Sequence, residues 1–377
     1  MRQTKIIATL GPSVASQAGV RSLVDAGMDV ARLNFSHGDH QLHRRFYEWV
    51  RSAAKDAGRT VAVMQDIQGP KLRVGEFPGG YISLATDDEV DLVSDTGKGD
   101  VDSIPVGYDA LLTDVNPGDR VILADGLVSC EVVGRSDTAL RARVVNGGLL
   151  SDHKGVAFPD SNLSVGNVTA KDEVDLEFGR ELGVDFVATS FVRTGNDVET
   201  VQSLAGDVPI VAKIELAQAL DNLDEILKVS FGVMVARGDL GVQLPLDRLP
   251  LIQTDIIKRA NTSGRVSVTA TEMLETMTHN PRPTRAEVTD VAHAVMSGTD
   301  AVMLSGETAV GDHPEKVVRA MARICQTIEE GTLPEQSAVP FVVGENLVAS
   351  AVAQAATQIA KNVGARTIVA FTETGST

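Results

Sequence analysis

Cysteine is almost missing: Cys130 and Cys325 stand far apart in 377 residues, with no Cys/His cluster around either. That excludes a disulfide framework and a zinc site, and leaves both as inert buried thiols. Aromatics are scarce at 4%, with Trp49 the single tryptophan. No run approaches the ~18 consecutive apolar residues of a spanning helix. Met1-Arg2-Gln3-Thr4-Lys5 leads straight into an apolar strand, without the regions of a secretory leader, so a cytoplasmic location is expected. Positive charge is also short, with 34 Lys and Arg against 51 Asp and Glu, a formal −17. Such a surface repels phosphate backbones and anionic lipid, which argues against nucleic acid or a membrane as partner. An anionic substrate then needs a local cationic pocket. The skew to 31 Asp, with 11 Lys against 23 Arg, fits either a salt-adapted surface or a merely acidic enzyme.

What is present is a repeating pattern. At this length two to three domains are expected, and 43% apolar residues suffice for a large core. Short β-branched runs begin near Lys5, Val30, Val61, Phe186, Ile210, Val233, Val266 and Ala301, alternating with helix-like segments such as 39–57, 171–183, 217–229, 247–263 and 284–298. Eight βα units with runs apolar on both faces favour an α/β protein closed into a (β/α)8 barrel, or TIM barrel. One interval is out of step: Val61 to Phe186 is 125 residues, against 23 to 35 elsewhere. The extra stretch is cut by turn signals at Gly79-Gly80, Asp87-Asp88, Asn116-Pro117-Gly118-Asp119, Asp125-Gly126 and Asn146-Gly147-Gly148, and reads as a small inserted β-barrel with hinges at Pro70 and Pro159. The expected division is a discontinuous barrel of residues 1–70 and 159–335, an inserted unit of 71–158, and the beginning of a truncated C-terminal α/β domain at 341–377. A punctuated link, Gly331 to Pro340, precedes that last piece, which comprises a helix at about 345–363 and a strand from Thr367 to Thr372.

Active sites of such barrels lie at the C-terminal ends of the strands. The second strand puts Arg32, Asn34 and Ser36 on one face, and the third ends in Gln65-Asp66; a buried Arg32–Asp66 ion pair of purely structural use is the plainer alternative. The fifth strand puts Lys213 and Glu215 on one face, and Gly238-Asp239 follows the sixth. Two carboxylates, Glu215 and Asp239, suit Mg2+, which takes one or two and completes its shell with water and substrate oxygens. A Lys213–Glu215 salt bridge alone is the competing reading. The backbone N–H groups of Gly238 and Asp239 suit an anionic oxygen. Thr271 and Glu272 end the seventh strand, and Ser305 and Glu307 the eighth. Together these groups imply Mg2+-assisted handling of a small phosphorylated anion. His37, His279, His293 and Trp49 show no comparable pattern and read as structural.

The segments TKIIATLGP, ARLNFSHG, QDIQGPKLR, KGVAFPD, VAKIE, VARGDLG, ATEMLETM, PRPTRAE and MLSGETA occur in the order of the pyruvate kinase family, which the chain resembles from Thr4 to Thr377. The resemblance implies phosphoryl transfer from phosphoenolpyruvate to ADP, giving pyruvate and ATP at the last step of glycolysis, with the inserted unit a mobile lid and a homotetramer completed by the C-terminal domain. It implies Glu215 and Asp239 as Mg2+ ligands, Lys213 as the catalytic lysine and Arg32 as the phosphate-binding arginine. Gly238, Asp239 and Thr271 would hold the substrate carboxylate. Thr271, fed by Ser305 and Glu307, would deliver a proton. Arg73, Asp125 and Lys154, with Arg32, would bind the nucleotide. A monovalent-cation site of Asn34, Ser36, Asp66 and the Ile67 carbonyl is implied too, except that Lys71 stands where K+-dependent members carry glutamate, and its ammonium is expected to reach the same region and supply a tethered positive charge in place of the cation. Two rivals are a Mg2+-dependent barrel lyase acting on pyruvate or oxaloacetate enolates, which gives no reason for the insertion or for Lys213, and a catalytically silent truncated scaffold.

The Lys71 substitution yields the first prediction: turnover in K+-free buffer at matched ionic strength equals that with K+, and Lys71→Glu introduces a K+ requirement. Strong K+ stimulation of the wild type overturns it.

Overall fold

Eight short parallel strands close on themselves in a computed structural model that describes residues 2–331, 347–365 and 367–371. We number these barrel strands β1 (Lys5–Thr9), β2 (Val30–Asn34), β3 (Ala62–Asp66), β4 (Phe186–Thr189), β5 (Ile210–Ile214), β6 (Gly232–Ala236), β7 (Val266–Ala270) and β8 (Ala301–Leu304). β1 closes the ring by pairing with both β2 and β8. Alternation along each strand sends Ile7, Met64, Val211, Met234, Val268 and Met303 into the barrel interior. The intervening residues, such as Ile6, Leu33, Val63, Ile214, Val235 and Leu304, pack outward under the helices. Burial on both sides is why β6 and β8 are apolar throughout.

The helices are fixed at their starts by local chemistry. Thr169 with Asp172 and Thr284 with Glu287 form reciprocal capping boxes for helices Ala170–Leu182 and Arg285–Met296. At the end of helix Gln17–Ala26, Gly27 takes φ 118°, a left-handed conformation that costs glycine nothing.

Between β3 and β4 the chain leaves the barrel and builds a second core of its own around Val90, Leu92, Ile104, Val121, Leu123 and Val144. A six-stranded sheet, ordered 156–157, 120–123, 128–135, 139–146, 89–94 and 103–106, wraps this core together with a two-stranded ribbon of Tyr81–Leu84 and Gly148–Ser151. Beyond the barrel, helix Leu347–Val363 forms as expected and exposes Val348, Val352 and Ile359. The strand expected at Thr367–Thr372 does not form over its described part, 367–371. A strand exists only against a neighbouring ladder, and no described strand runs beside it. The Gly331–Pro340 link lies, after Gly331, outside the described residues.

The tightest backbone approach in the barrel wall is at Gly232, where a Cβ would come to 2.5 Å from the carbonyl oxygen of Val266 on β7. Gly232→Ala is therefore expected to cost about 1–3 kcal/mol and lower the Tm by roughly 2–10 °C. A thermal melt unchanged from wild type would show that β6 and β7 can separate freely.

Candidate active site

The C-terminal ends of β2, β3 and β5 meet at one buried carboxylate. Asp66 accepts a 2.6 Å bond from Arg32 Nε and lies 3.3 Å from Lys213 Nζ. Arg32 also donates to the Thr9 hydroxyl at 2.9 Å, which in turn donates to the Leu304 carbonyl, so the guanidinium is held from β1 and β8 as well. Burial raises the Asp66 carboxyl, but the adjoining Arg32 and Lys213 charges outweigh it and hold its pKa below the ordinary carboxylate value. Lys213 commits its three donors to protein oxygens: Asp66, Glu215 at 2.8 Å and the Ser190 hydroxyl at 2.8 Å. Burial would lower its pKa, yet Asp66 and Glu215 raise it above the usual range, so the ammonium stays charged. Both ion pairs considered as plainer alternatives are therefore present, joined into one network through Asp66.

Glu215 is buried, and its second oxygen accepts the Phe191 backbone N–H at 2.7 Å. Burial and the nearby Asp239 charge lift its carboxyl above the usual range despite Lys213. Asp239 lines the same cleft, which opens between the barrel mouth and the inserted unit and is walled by Pro70, Val156, Phe158 and Phe191. Lys71 lies 3.6 Å from Asp239 and 4.0 Å from Asp125 of the insertion. It was expected beside Asn34, Ser36 and Asp66. Asp66 is already satisfied by two cations, whereas Asp239 and Asp125 have no other among the described residues, which explains the difference. Asn34 caps its own turn, accepting the Ser36 N–H at 3.1 Å, and the Ile67 carbonyl accepts the Ser190 hydroxyl at 2.8 Å.

On the opposite rim the backbone is strained. Thr271 and Glu272 have φ 68° and 52°, left-handed values that cost a side-chain-bearing residue of order 1 kcal/mol or more. Buried groups hold this turn from both sides. Arg237, paired with Asp290 at 2.6 Å, donates to the Thr271 carbonyl at 2.6 Å. Glu307, fully buried, receives the Leu274 N–H at 3.1 Å and the Ser305 N–H at 2.6 Å. The two carboxylate oxygens of Glu307 thereby tie the loops after β7 and β8 together. The Thr271 hydroxyl donates to the Ala270 carbonyl at 2.6 Å and accepts the Gly238 N–H at 2.8 Å. These two groups therefore face each other.

Of the nucleotide candidates, Arg73 donates to the His153 carbonyl at 2.8 Å and bridges to Gly155, placing it beside the exposed Lys154. Asp125 lies across from Gly155 in a turn where Ala124, Asp125 and Gly126 all have positive φ. Sequence reasoning missed Thr9, Ser190, Phe191, Arg237 and Asp290. Only Thr189-Ser190 at the end of β4 carried a signal, a polar strand end matching the others. The residues set aside as structural stay out of the mouth: His279 faces Asp312, His293 meets Gln253, and Trp49 packs edge-on to Phe46. Burial pushes the Cys130 thiol up to about 11 and Cys325 to about 12, as inert thiols require.

A closed (β/α)8 barrel with buried cations and carboxylates converging at its C-terminal mouth, beneath an inserted unit, is the build of a barrel enzyme that handles an anion. Comparison with known proteins narrows this. Residues 1–318 match the pyruvate kinase barrel domain. The chain is 44% identical over 381 residues to pyruvate kinase from Corynebacterium glutamicum, spanning all of this chain and 79% of that one. It is 43% identical over 380 residues to the enzyme from Mycobacterium tuberculosis strain H37Rv, covering 80% of it. A crystal structure of a pyruvate kinase from Cryptosporidium parvum superposes with TM-score 0.91 at 36% identity, covering 96% of this chain and 77% of that one. The chain belongs to the pyruvate kinase family and is a phosphotransferase. No helix among the described residues is long and apolar enough to cross a membrane.

Glu307→Gln sets an amide NH2 against one of the two backbone N–H groups now received. The expected cost is about 1–3 kcal/mol, with slower turnover because the Thr271 turn loosens. Thermal melting and steady-state kinetics check this; wild-type values in both would show that the turn holds itself.

Proposed function

We propose that this phosphotransferase moves the phosphoryl group of phosphoenolpyruvate to ADP, forming pyruvate and ATP. The observation that carries the reading is the buried Arg32–Asp66–Lys213 network, which brings two cations together around one carboxylate at the barrel mouth. Family membership supports the same substrates.

In this reading Asp66 orients Arg32 and Lys213 so that both point charge at the phosphoryl group, Arg32 fixing it and Lys213 offsetting negative charge as it transfers. Lys213 has to release one of its three partners to do so, and the neutral Ser190 hydroxyl is the least costly to give up. The substrate carboxylate takes the N–H groups of Gly238 and Asp239 and the Thr271 hydroxyl, parting the Gly238–Thr271 bond. The Thr271 hydroxyl, released from Gly238, then gives its proton to the enolate carbon and takes one back along a chain fed by Ser305 and Glu307, while Arg237 and Glu307 hold its turn. Arg73, Asp125 and Lys154 engage the nucleotide as the inserted unit closes and excludes water.

Mg2+ fits the donor set. Among the described residues no three or more His, Cys, Asp or Glu side chains group to hold a metal alone. That suits a hard cation taking Glu215 and Asp239 and filling its shell with water and substrate oxygens. When bound it would supply positive charge that offsets the developing negative charge of the reacting anion. We further assign independence of K+, with Lys71 providing a tethered positive charge beside Asp239, a cytoplasmic location, and the family's tetramer.

Lys213→Met is expected to reduce ADP-dependent pyruvate formation at least about 10³-fold while Mg2+ binding is retained, since an electrostatic stabiliser of the reacting group is lost. A lactate-dehydrogenase-coupled assay reads it, and more than a tenth of wild-type turnover removes Lys213 from the mechanism. Asp239→Asn is expected to shift the Mg2+ titration midpoint of that assay sharply upward. An unchanged midpoint moves the metal elsewhere.

A further inference from the structure

Lys71 stands where the chain leaves the barrel after Pro70, and its stem lies along Gly155 of the insertion. A Cβ added at Gly155 would come to 3.3 Å from Lys71 Cε and 3.2 Å from Asp125 Oδ1, so the glycine makes room for both. The Lys71 ammonium is 3.6 Å from Asp239 at the barrel mouth and 4.0 Å from Asp125. All three side chains line the cleft that also holds Glu215. Asp125 is presented there by a strained turn. Ala124 and Asp125 have φ 51° and 55°, left-handed values that side-chain-bearing residues avoid and that persist where the surroundings impose them. Asp239 is one of the two carboxylates assigned to Mg2+, and among the described residues Lys71 is its sole cationic partner.

We propose that Lys71 is a positioning residue for the metal: at rest it holds the metal's place on Asp239, and it passes to Asp125 when the metal is bound. This rests on the assignment of Mg2+ to Glu215 and Asp239. Two cations on one carboxylate repel each other, and a half-exposed ammonium at 3.6 Å yields to a hard divalent ion. Lys71 then needs another acceptor. Asp66 is sealed between Arg32 and Lys213, and Glu215 is taken up by Lys213 and the Phe191 N–H, which leaves Asp125. Reaching it takes a turn of the lysine tip alone, because the stem already lies against Gly155. The Lys71 charge stays at the mouth throughout, and a contact between insertion and barrel is traded for one within the insertion.

The test titrates Mn2+, a hard cation with the same preference for oxygen, into the whole chain without substrate or nucleotide and counts free Mn2+ by electron paramagnetic resonance. Lys71→Met is expected to tighten Mn2+ binding about two- to fivefold, the range set by loss of one exposed ion pair. Asp125→Asn is expected to weaken it about twofold, because Lys71 then has Asp239 alone to face. Added to Lys71→Met, Asp125→Asn is expected to change nothing further, which separates the exchange from the plain field of a nearby carboxylate. Binding unchanged or weaker in Lys71→Met, or the same Asp125→Asn effect with and without Lys71, overturns the proposal. Asp239→Asn is the control, expected to weaken Mn2+ binding at least about tenfold. Binding indifferent to that change moves the metal elsewhere and overturns the assignment beneath the proposal as well. All three side chains are partly exposed, and thermal melts check that the variants fold.

Discussion

Everything at the mouth of this barrel depends on a carboxylate with no access to water. Asp66 sits at the end of β3 between cations supplied by β2 and β5, and its burial is tolerable only because both are there. Remove it, and two buried cations lose their common counter-charge, a loss of several kcal/mol in comparable sites. The arrangement also removes freedom: neither Arg32 nor Lys213 can swing toward solvent without abandoning a charge-assisted bond. The positive field at the mouth is set when the barrel closes, before any ligand arrives, and so needs little reorganisation during reaction.

The opposite rim solves a different problem. Thr271 and Glu272 occupy backbone conformations that side-chain-bearing residues avoid, and such strain persists only where the surroundings over-determine it. Arg237 and Glu307 are those surroundings. One is anchored on helix Arg285–Met296 through Asp290 and the other on the loop after β8. A buried ionic network thus shapes one side of the mouth and a restrained turn the other.

The fold was readable in the sequence because a parallel barrel buries both faces of each strand, so runs such as GVMVA and AVML announce themselves, and because the insertion broke an even spacing. The mouth was readable in part, since a period of two along β2 and β5 puts Arg32 in one row with Asn34 and Lys213 in one row with Glu215. What spacing cannot show is which oxygen a side chain chooses. Lys71 was read beside Asp66 and lies instead at Asp239, because Asp66 had already been neutralised by residues 34 and 147 positions away in the chain. Nor can spacing show that Glu307 ties the loops after β7 and β8 together through two backbone N–H groups. Ser190 and Arg237 act through contacts to Lys213 and Thr271 that no local pattern encodes. The strand expected at the end of the described chain had the right composition, but composition does not supply a neighbour to pair with.

The Lys71 bridge has one more consequence. It spans barrel and insertion, touching Asp239 on one side and Asp125 on the other, and every one of these groups is partly exposed. Exposed pairs at 3.6–4.0 Å contribute at most about 1 kcal/mol and fade as mobile ions crowd in. The Asp66 network, sealed from water, does not fade in that way. Rising salt therefore weakens the ionic contacts between barrel and insertion while leaving the pairing at the mouth beneath them intact.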